Sequence, residues 1–181
     1  MGERWLKGDA WTVRDEFYTP KLLVEAIVPY IPAGATVWCP FDTATSEFVL
    51  VLQEKGIKVV YSHIIDDKDF FKYTPEHFDL IISNPPFSRK IEVINRCYAL
   101  GKPFALLLPL TILNYQEIGT LFMDKPLQLL IVDKKVSYNG HTSSFNTSYY
   151  CKGLLPRDII FTSLPHNNSG KHYVASRMKL E

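Results

Sequence analysis

Along this chain of 181 residues, short apolar runs alternate with amphipathic stretches, and turn residues separate them. Residues 36–39, 57–62, 80–82, 102–109 and 127–132 are apolar runs of strand length. Between them, apolar positions recur at helical spacing. Leu22, Leu23, Ala26, Ile27 and Tyr30 predict a helix over 21–30, with Thr19 as its N-cap and Pro20 at its first position. Phe48, Val49, Val51 and Leu52 predict a second over 47–55, capped by Thr45 or Ser46 and closed by Gly56. A third runs from after Phe87 to Leu100, with Gly101 as its cap, and a fourth covers about 111–123. Residues 134–138 and 145–151 read as strands of a hairpin through Asn139-Gly140, with a loop longer than two residues. Residues 158–161 read as an edge strand. The pattern predicts an α/β domain: a mostly parallel sheet, helices on both faces, right-handed crossovers and a C-terminal antiparallel hairpin.

One stretch organises the rest. Leu80, Ile81 and Ile82 form a buried-strand run, and Ser83-Asn84-Pro85-Pro86-Phe87 stops it. Neither proline can donate to a ladder, and each restricts the residue before it to extended geometry. The chain must leave the sheet in a stiff turn at a strand's carboxyl end, where open α/β sheets bind ligands. That turn presents the Asn84 amide, the Asn84 and Pro85 carbonyls and the Phe87 ring to one place. The group suits a poorly nucleophilic exocyclic amine. Two acceptors, the Asn84 side-chain oxygen and the Pro85 carbonyl, can hold its N–H bonds and favour a pyramidal nitrogen with its lone pair directed outward. They strengthen as positive charge develops, so they act on the transition state. Phe87 offers a stacking face for a base.

Composition narrows the class. With 46% hydrophobic and 13% aromatic residues the chain is globular. Its length suits one α/β domain better than two. The expected layout is an N-terminal arm over 1–14, a domain over 15–165 and a loose tail over 166–181. A net charge of +1 provides no global basic field for nucleic acid, which leaves local patches. Cys39, Cys97 and Cys151 are scattered, with neither metal-ligand spacing nor a disulfide framework, which suits a reducing cytosol. No apolar run reaches membrane-spanning length, and no metal or membrane role is expected.

The turn at 84–87 resembles the Asn/Asp-Pro-Pro-aromatic motif of the amino-methyltransferases, which methylate adenine N6 or cytosine N4 with S-adenosylmethionine. The resemblance extends over about 15–161 and implies a Rossmann-like class I methyltransferase fold in a cytoplasmic protein. On this pattern Asn84, Pro85, Pro86 and Phe87 are the catalytic set. Tyr18, Thr19 and Pro20 match the N-terminal motif of DNA adenine methyltransferases that touches the methionine end of the cofactor. Pro40 and Phe41 keep the cofactor loop, but Asp42-Thr43-Ala44-Thr45 stand where glycines are expected, which removes easy positive φ and close backbone approach. The resemblance allows Asp42 to meet the cofactor's ammonium group. Ser62 and His63 occupy the place of the acid that usually holds the ribose. Asp66, Asp67 and Asp69 form an acidic loop, in which Asp69 and Phe70 match the cofactor-adenine position. Phrases at 37–42, 61–64, 69–71, 83–88, 101–106 and 154–157 are similar to a compact group of adenine methyltransferase-like proteins from phages, prophages and mobile elements of Gram-positive bacteria.

The resemblance implies S-adenosylmethionine as cofactor and DNA or RNA as substrate. Arg89 and Lys90 stand where phosphate can be met, and Tyr138 and Phe145 of the hairpin are further candidates for substrate contact. No gap has room for a target-recognition domain, and base-specific reading of a duplex needs several contacts of about 1–3 kcal/mol each. The chain therefore dimerises, borrows a protein partner, or acts on single-stranded or smaller substrates. Two other readings stay open: a non-catalytic phage binding protein on this fold, and a protein-amide methyltransferase, whose Asn-Pro-Pro turn is similar.

Overall fold

The computed structural model describes residues 19–133, 137–138, 141–142 and 146–164. Seven strands form one sheet: β1 (Thr36–Cys39), β2 (Lys58–Tyr61), β3 (Leu80–Ser83), β4 (Phe104–Pro109), β5 (Gln128–Val132), β8 (Thr147–Lys152) and β9 (Ile159–Thr162). Two short strands, β6 (Ser137–Tyr138) and β7 (His141–Thr142), pair only with each other. The sheet order is β2-β1-β3-β4-β8-β5-β9. All contacts are parallel except those of β8, which lies antiparallel between β4 and β5.

Alternating side chains feed two cores, because successive strand residues point to opposite faces. Val37, Cys39, Leu80, Ile82, Ala105, Leu107, Tyr149 and Cys151 pack on one face with Leu23, Val24, Ile27, Phe48, Val51 and Leu52. These last come from α1 (Lys21–Ile27) and α2 (Glu47–Glu54). Trp38, Ile81, Phe104, Leu106, Leu108 and Tyr150 pack on the other with Val93, Ile94, Cys97 and Ile118. These belong to α3 (Lys90–Leu100) and α4 (Gln116–Phe122). Both faces are thus covered, as a mostly parallel sheet requires.

Polar pins set the registers. Asp79 Oδ2 accepts from the Thr36 N–H at 2.7 Å while its own N–H donates to Thr36 O at 2.8 Å, aligning the starts of β1 and β3. Gln128 Oε1 accepts from the N–H groups of Leu154 and Leu155, both at 3.0 Å, and holds the turn between β8 and β9. The buried Tyr149 hydroxyl donates to Leu23 O at 2.8 Å and ties α1 to β8.

The predicted order of elements holds, with local corrections. The first helix is α-helical only to Ile27 and then tightens to a 3₁₀ turn over Val28–Tyr30, where Pro29 has no N–H to continue the ladder. Pro20, not Thr19, is its N-cap, without a side-chain capping bond. Ser46 caps α2 by position only, since its hydroxyl accepts from the Thr43 N–H instead. The predicted fourth helix divides into a 3₁₀ segment, Leu110–Asn114, and α4, because Tyr115 between them is extended (φ −83°, ψ 132°). The hairpin across Asn139-Gly140 joins Tyr138 to His141 directly, so its loop has two residues. Its strands are β6 and β7, while the strand expected over 145–151 is β8, which pairs with β4 and β5. Six backbone pairs to β4 outcompete a local hairpin partner. The edge strand at 158–161 is β9. The expected arm and tail lie outside the described residues.

Candidate functional site

The strand order changes direction at β1, which has β2 on one side and β3 on the other. Such a switch point opens a crevice at the strands' carboxyl ends. The segment 40–46 leaves β1 there, and the Asn84 turn leaves β3 beside it. Ser83 and Asp42 join the two: the Ser83 hydroxyl donates to Asp42 Oδ2 at 2.5 Å, with both side chains buried. The Asp42 N–H reaches back to Ser62 O at 3.3 Å, which brings the end of β2 into the same network. Asn84 is anchored separately. Its Nδ2 donates to the buried Thr19 Oγ1 at 3.1 Å, so Oδ1 is the end of the amide turned away from Thr19. Thr19 is withdrawn from the capping expected of it and serves as the post for Asn84. Pro85 and Pro86 are buried behind the turn, and Phe87 is half-buried at its exit, where a 3₁₀ turn (Phe87–Arg89) begins.

The segment after β2 closes the third side. His63 caps a 3₁₀ turn, its Nδ1 accepting from the Ile65 N–H at 3.2 Å. Ser62 is buried, and its Oγ accepts from Trp38 Nε1 at 2.9 Å. Asp69 folds its own loop, Oδ1 accepting from the Phe71 N–H at 3.0 Å. The rings that follow link the other two sides. Phe70 lies buried 4.9 Å from the half-buried Phe41 and 5.4 Å from Trp38. Phe71 carries the Arg89 guanidinium 3.8 Å from its ring centroid. Arg89 also pairs with Glu92, at 2.5 Å from Nη2 to Oε2, so this cation is committed to a stack and an ion pair. Lys90 Nζ donates to Phe87 O at 3.3 Å.

The structure thus joins Thr19 to Asn84, and Asp42 to both Ser83 and Ser62, at the carboxyl ends of β1, β2 and β3. It sets Phe70 behind Phe41 and Arg89 over Phe71. The position of Tyr18, that of Phe145 and the side chain of Tyr138 lie outside the described residues. Sequence reading passed over Ser83 as a partner of Asp42 and Phe71 as a partner of Arg89. The first pair spans 41 residues and carries no spacing signal. The cysteines take no part, since all three are buried and burial pushes the Cys97 thiol up to about 12.

Burial also lifts the Asp42 carboxyl from 3.8 to about 6, against hydrogen bonds from Ser83 and Ser46 that pull it down. The folded chain therefore holds a proton that the unfolded chain releases between these two values. The contribution of Asp42 to stability is greatest below the lower value. It falls as pH rises through the window and levels off above it. Two pH units correspond to about 3 kcal/mol. Asp42→Asn keeps an acceptor for Ser83 and cannot ionise. Between about pH 4 and pH 7 the native chain should lose up to about 3 kcal/mol relative to this variant, as read by urea denaturation at both pH values. Parallel stability curves would show that Asp42 ionises without cost.

No family model matches the sequence, and no curated protein matches it. Solved structures do. A protein from Agrobacterium tumefaciens assigned as an O-methyltransferase aligns over 87% of this chain and over 92% of its own length, with a TM-score of 0.52 at 12% identity. A protein from Vibrio vulnificus assigned as a modification subunit of a type I restriction enzyme aligns over 91% of this chain with a TM-score of 0.52 at 12% identity. The chain spans 50% of that subunit's length. A protein from Listeria monocytogenes assigned to the class I S-adenosylmethionine-dependent methyltransferases aligns over 88% of this chain and 69% of its own, with a TM-score of 0.50 at 10% identity. A seven-stranded sheet with one antiparallel strand inserted near its end, helices on both faces and these structural neighbours give this chain the fold of the class I methyltransferases.

Proposed function

We propose that this chain transfers a methyl group from S-adenosylmethionine to an exocyclic amine, adenine N6 of DNA or RNA. The observation that carries the reading is the meeting of the Asn84 turn with the 40–46 segment at the switch point, joined through Ser83 and Asp42. The cofactor supplies, when bound, an electrophilic methyl on a sulfonium. What supports this place for such a group is its position at the switch point, the aromatic wall of Phe41, Phe70 and Phe71, and the Asp69 carboxylate, whose Oδ1 accepts from the Phe71 N–H. Thr19, Pro20, Pro40, Phe41, Asp42, His63, Asp69 and Phe70 are the residues proposed to hold it. Ser62 supports this wall through Trp38.

The chain's own residues orient the amine. Thr19 fixes the Asn84 amide through Nδ2, which assigns Oδ1 to the acceptor role beside the Pro85 carbonyl. Pro85 and Pro86 hold both acceptors on a stiff backbone, so little reorganisation is needed as charge develops on nitrogen. Phe87 receives the face of a base taken from its helix or already single-stranded. A nucleic-acid substrate is further supported by the restriction-modification assignment of one structural neighbour.

A second reading, a binding protein without catalysis, is favoured by the loop itself. Asp42 turns its carboxyl into the protein toward Ser83, and Thr43, Ala44 and Thr45 add Cβ atoms where a glycine loop has none. Calorimetric titration with S-adenosylmethionine and its demethylated product separates the two. Modest affinity is expected, together with transfer of labelled methyl to oligonucleotides containing adenine. Binding without transfer to DNA, RNA or protein extract would leave the fold without this chemistry, and absence of binding would favour the second reading.

A further inference from the structure

Tyr115 is 51% exposed, yet it sits on a well-braced corner. It follows the 3₁₀ segment Leu110–Asn114 that leaves the carboxyl end of β4, the strand next to the one that leads into Asn84. Its N–H donates to Ile112 O at 3.0 Å, and its carbonyl accepts from the Gly119 N–H at 3.0 Å. Buried Ile112 and Ile118 pin the corner on both sides. Behind it, the Leu110 N–H donates to Asn146 O at 2.8 Å and the Tyr150 hydroxyl donates to Pro109 O at 3.0 Å. The backbone is therefore fixed while 51% of the residue's surface stays exposed. Lys90 connects this ring to the Asn84 turn. Its ammonium lies 5.7 Å from the Tyr115 centroid and 3.3 Å from Phe87 O. Of the acids nearby in sequence, Glu92 is paired with Arg89, and Glu117 is exposed in the first turn of α4.

A rigid, exposed aromatic ring beside an ammonium group is the arrangement that holds single-stranded nucleic acid, with a base on the ring and its phosphate at the cation. We propose that Tyr115 and Lys90 form a docking platform for a nucleotide flanking the target, so that the substrate enters as a single strand. The inference rests on the proposed function for its direction, since the flanking nucleotide lies on the β4 side of the Asn84 turn. It also accounts for recognition by a chain with a net charge of only +1: the binding is local, and stacking does not require a broad basic field.

The test uses fluorescence anisotropy on the full chain without cofactor. The probes are labelled oligodeoxyadenylate, its RNA counterpart and a duplex. Tyr115→Ala should raise Kd for the single strand about ten-fold, while Tyr115→Phe stays close to the native protein because either ring stacks. Lys90→Gln should flatten the dependence of log K on log salt by about 0.7, the share of one phosphate contact on a single strand. If the chain turns over, the Tyr115→Ala loss should fall on KM rather than kcat. Of DNA and RNA, the probe that binds tighter and loses more identifies the strand. Tyr115-dependent binding without methyl transfer would sustain the platform and remove the enzyme reading. Methyl transfer with unchanged Kd and KM in Tyr115→Ala would overturn the platform and leave the enzyme reading standing. Failure to bind either single strand, or tighter binding of duplex independent of Tyr115, would also overturn it.

Discussion

Asn84→Ala should slow methyl transfer about 10²–10³-fold, the usual loss when one preorganised polar group is removed from a site where charge develops. The residue is half-buried, with its Nδ2 committed to Thr19, so its role in the proposed reaction falls to the carbonyl end of the amide. Cofactor affinity should change little, because Asn84 is not itself a proposed cofactor contact and reaches those contacts through its hydrogen bond to Thr19. Thr19→Val, which keeps shape and removes the acceptor for Nδ2, should produce a smaller loss of the same kind by releasing the amide. Phe87→Ala should instead act on substrate affinity, and Phe87→Tyr should retain much of the activity. Single-turnover transfer of labelled methyl, run beside calorimetric cofactor titration, separates these effects. If Asn84→Ala weakened cofactor binding as much as transfer, the residue would be a structural member of the turn only.

Trp38→Ala should destabilise the fold by about 4 kcal/mol, within the usual range for removing a buried tryptophan. Trp38 is fully buried and contacts Phe78 at 4.9 Å, Phe70 at 5.4 Å and Tyr73 at 6.3 Å between ring centroids. Its removal would also strip the buried Ser62 Oγ of the Nε1 donor. A loss of that size is a large part of the stability of an ordinary domain. Trp38→Phe should cost less, because it keeps most of the packing and loses the hydrogen bond. Urea denaturation at constant m-value measures both. A loss below about 1 kcal/mol for the alanine variant would mean that the aromatic cluster closes over the gap. The same cluster carries Phe70 and Phe41, so the alanine variant should also blur the proposed cofactor wall.

The α/β order, the strand positions and the turn at Asn84 were legible in the sequence because each is written in local terms. Leu80, Ile81 and Ile82 can only be satisfied by burial on both faces, and two successive prolines can only leave a ladder. Gly101 takes a φ of 72° at the end of α3, where only glycine is at ease, and it marked that end in advance. What the tertiary structure alone decided is which distant polar groups meet. A threonine before a helix reads as a cap, yet Thr19 Oγ1 accepts from Asn84, 65 residues away. An aspartate in a cofactor-type loop reads as a ligand, and only the fold shows that its carboxyl also accepts from Ser83, 41 residues away. The strand over 147–152 lies between β4 and β5, where its row of pairing groups is satisfied on both sides, and not in the local hairpin that Asn139-Gly140 suggested. Tyr115 carried no sequence signal, because an aromatic at helical spacing normally packs inward. Its exposure follows from the extended residue that breaks the helix at that point. Local propensity and periodicity set the elements, and the pairing of buried donors with acceptors far apart in the chain set the crevice between them.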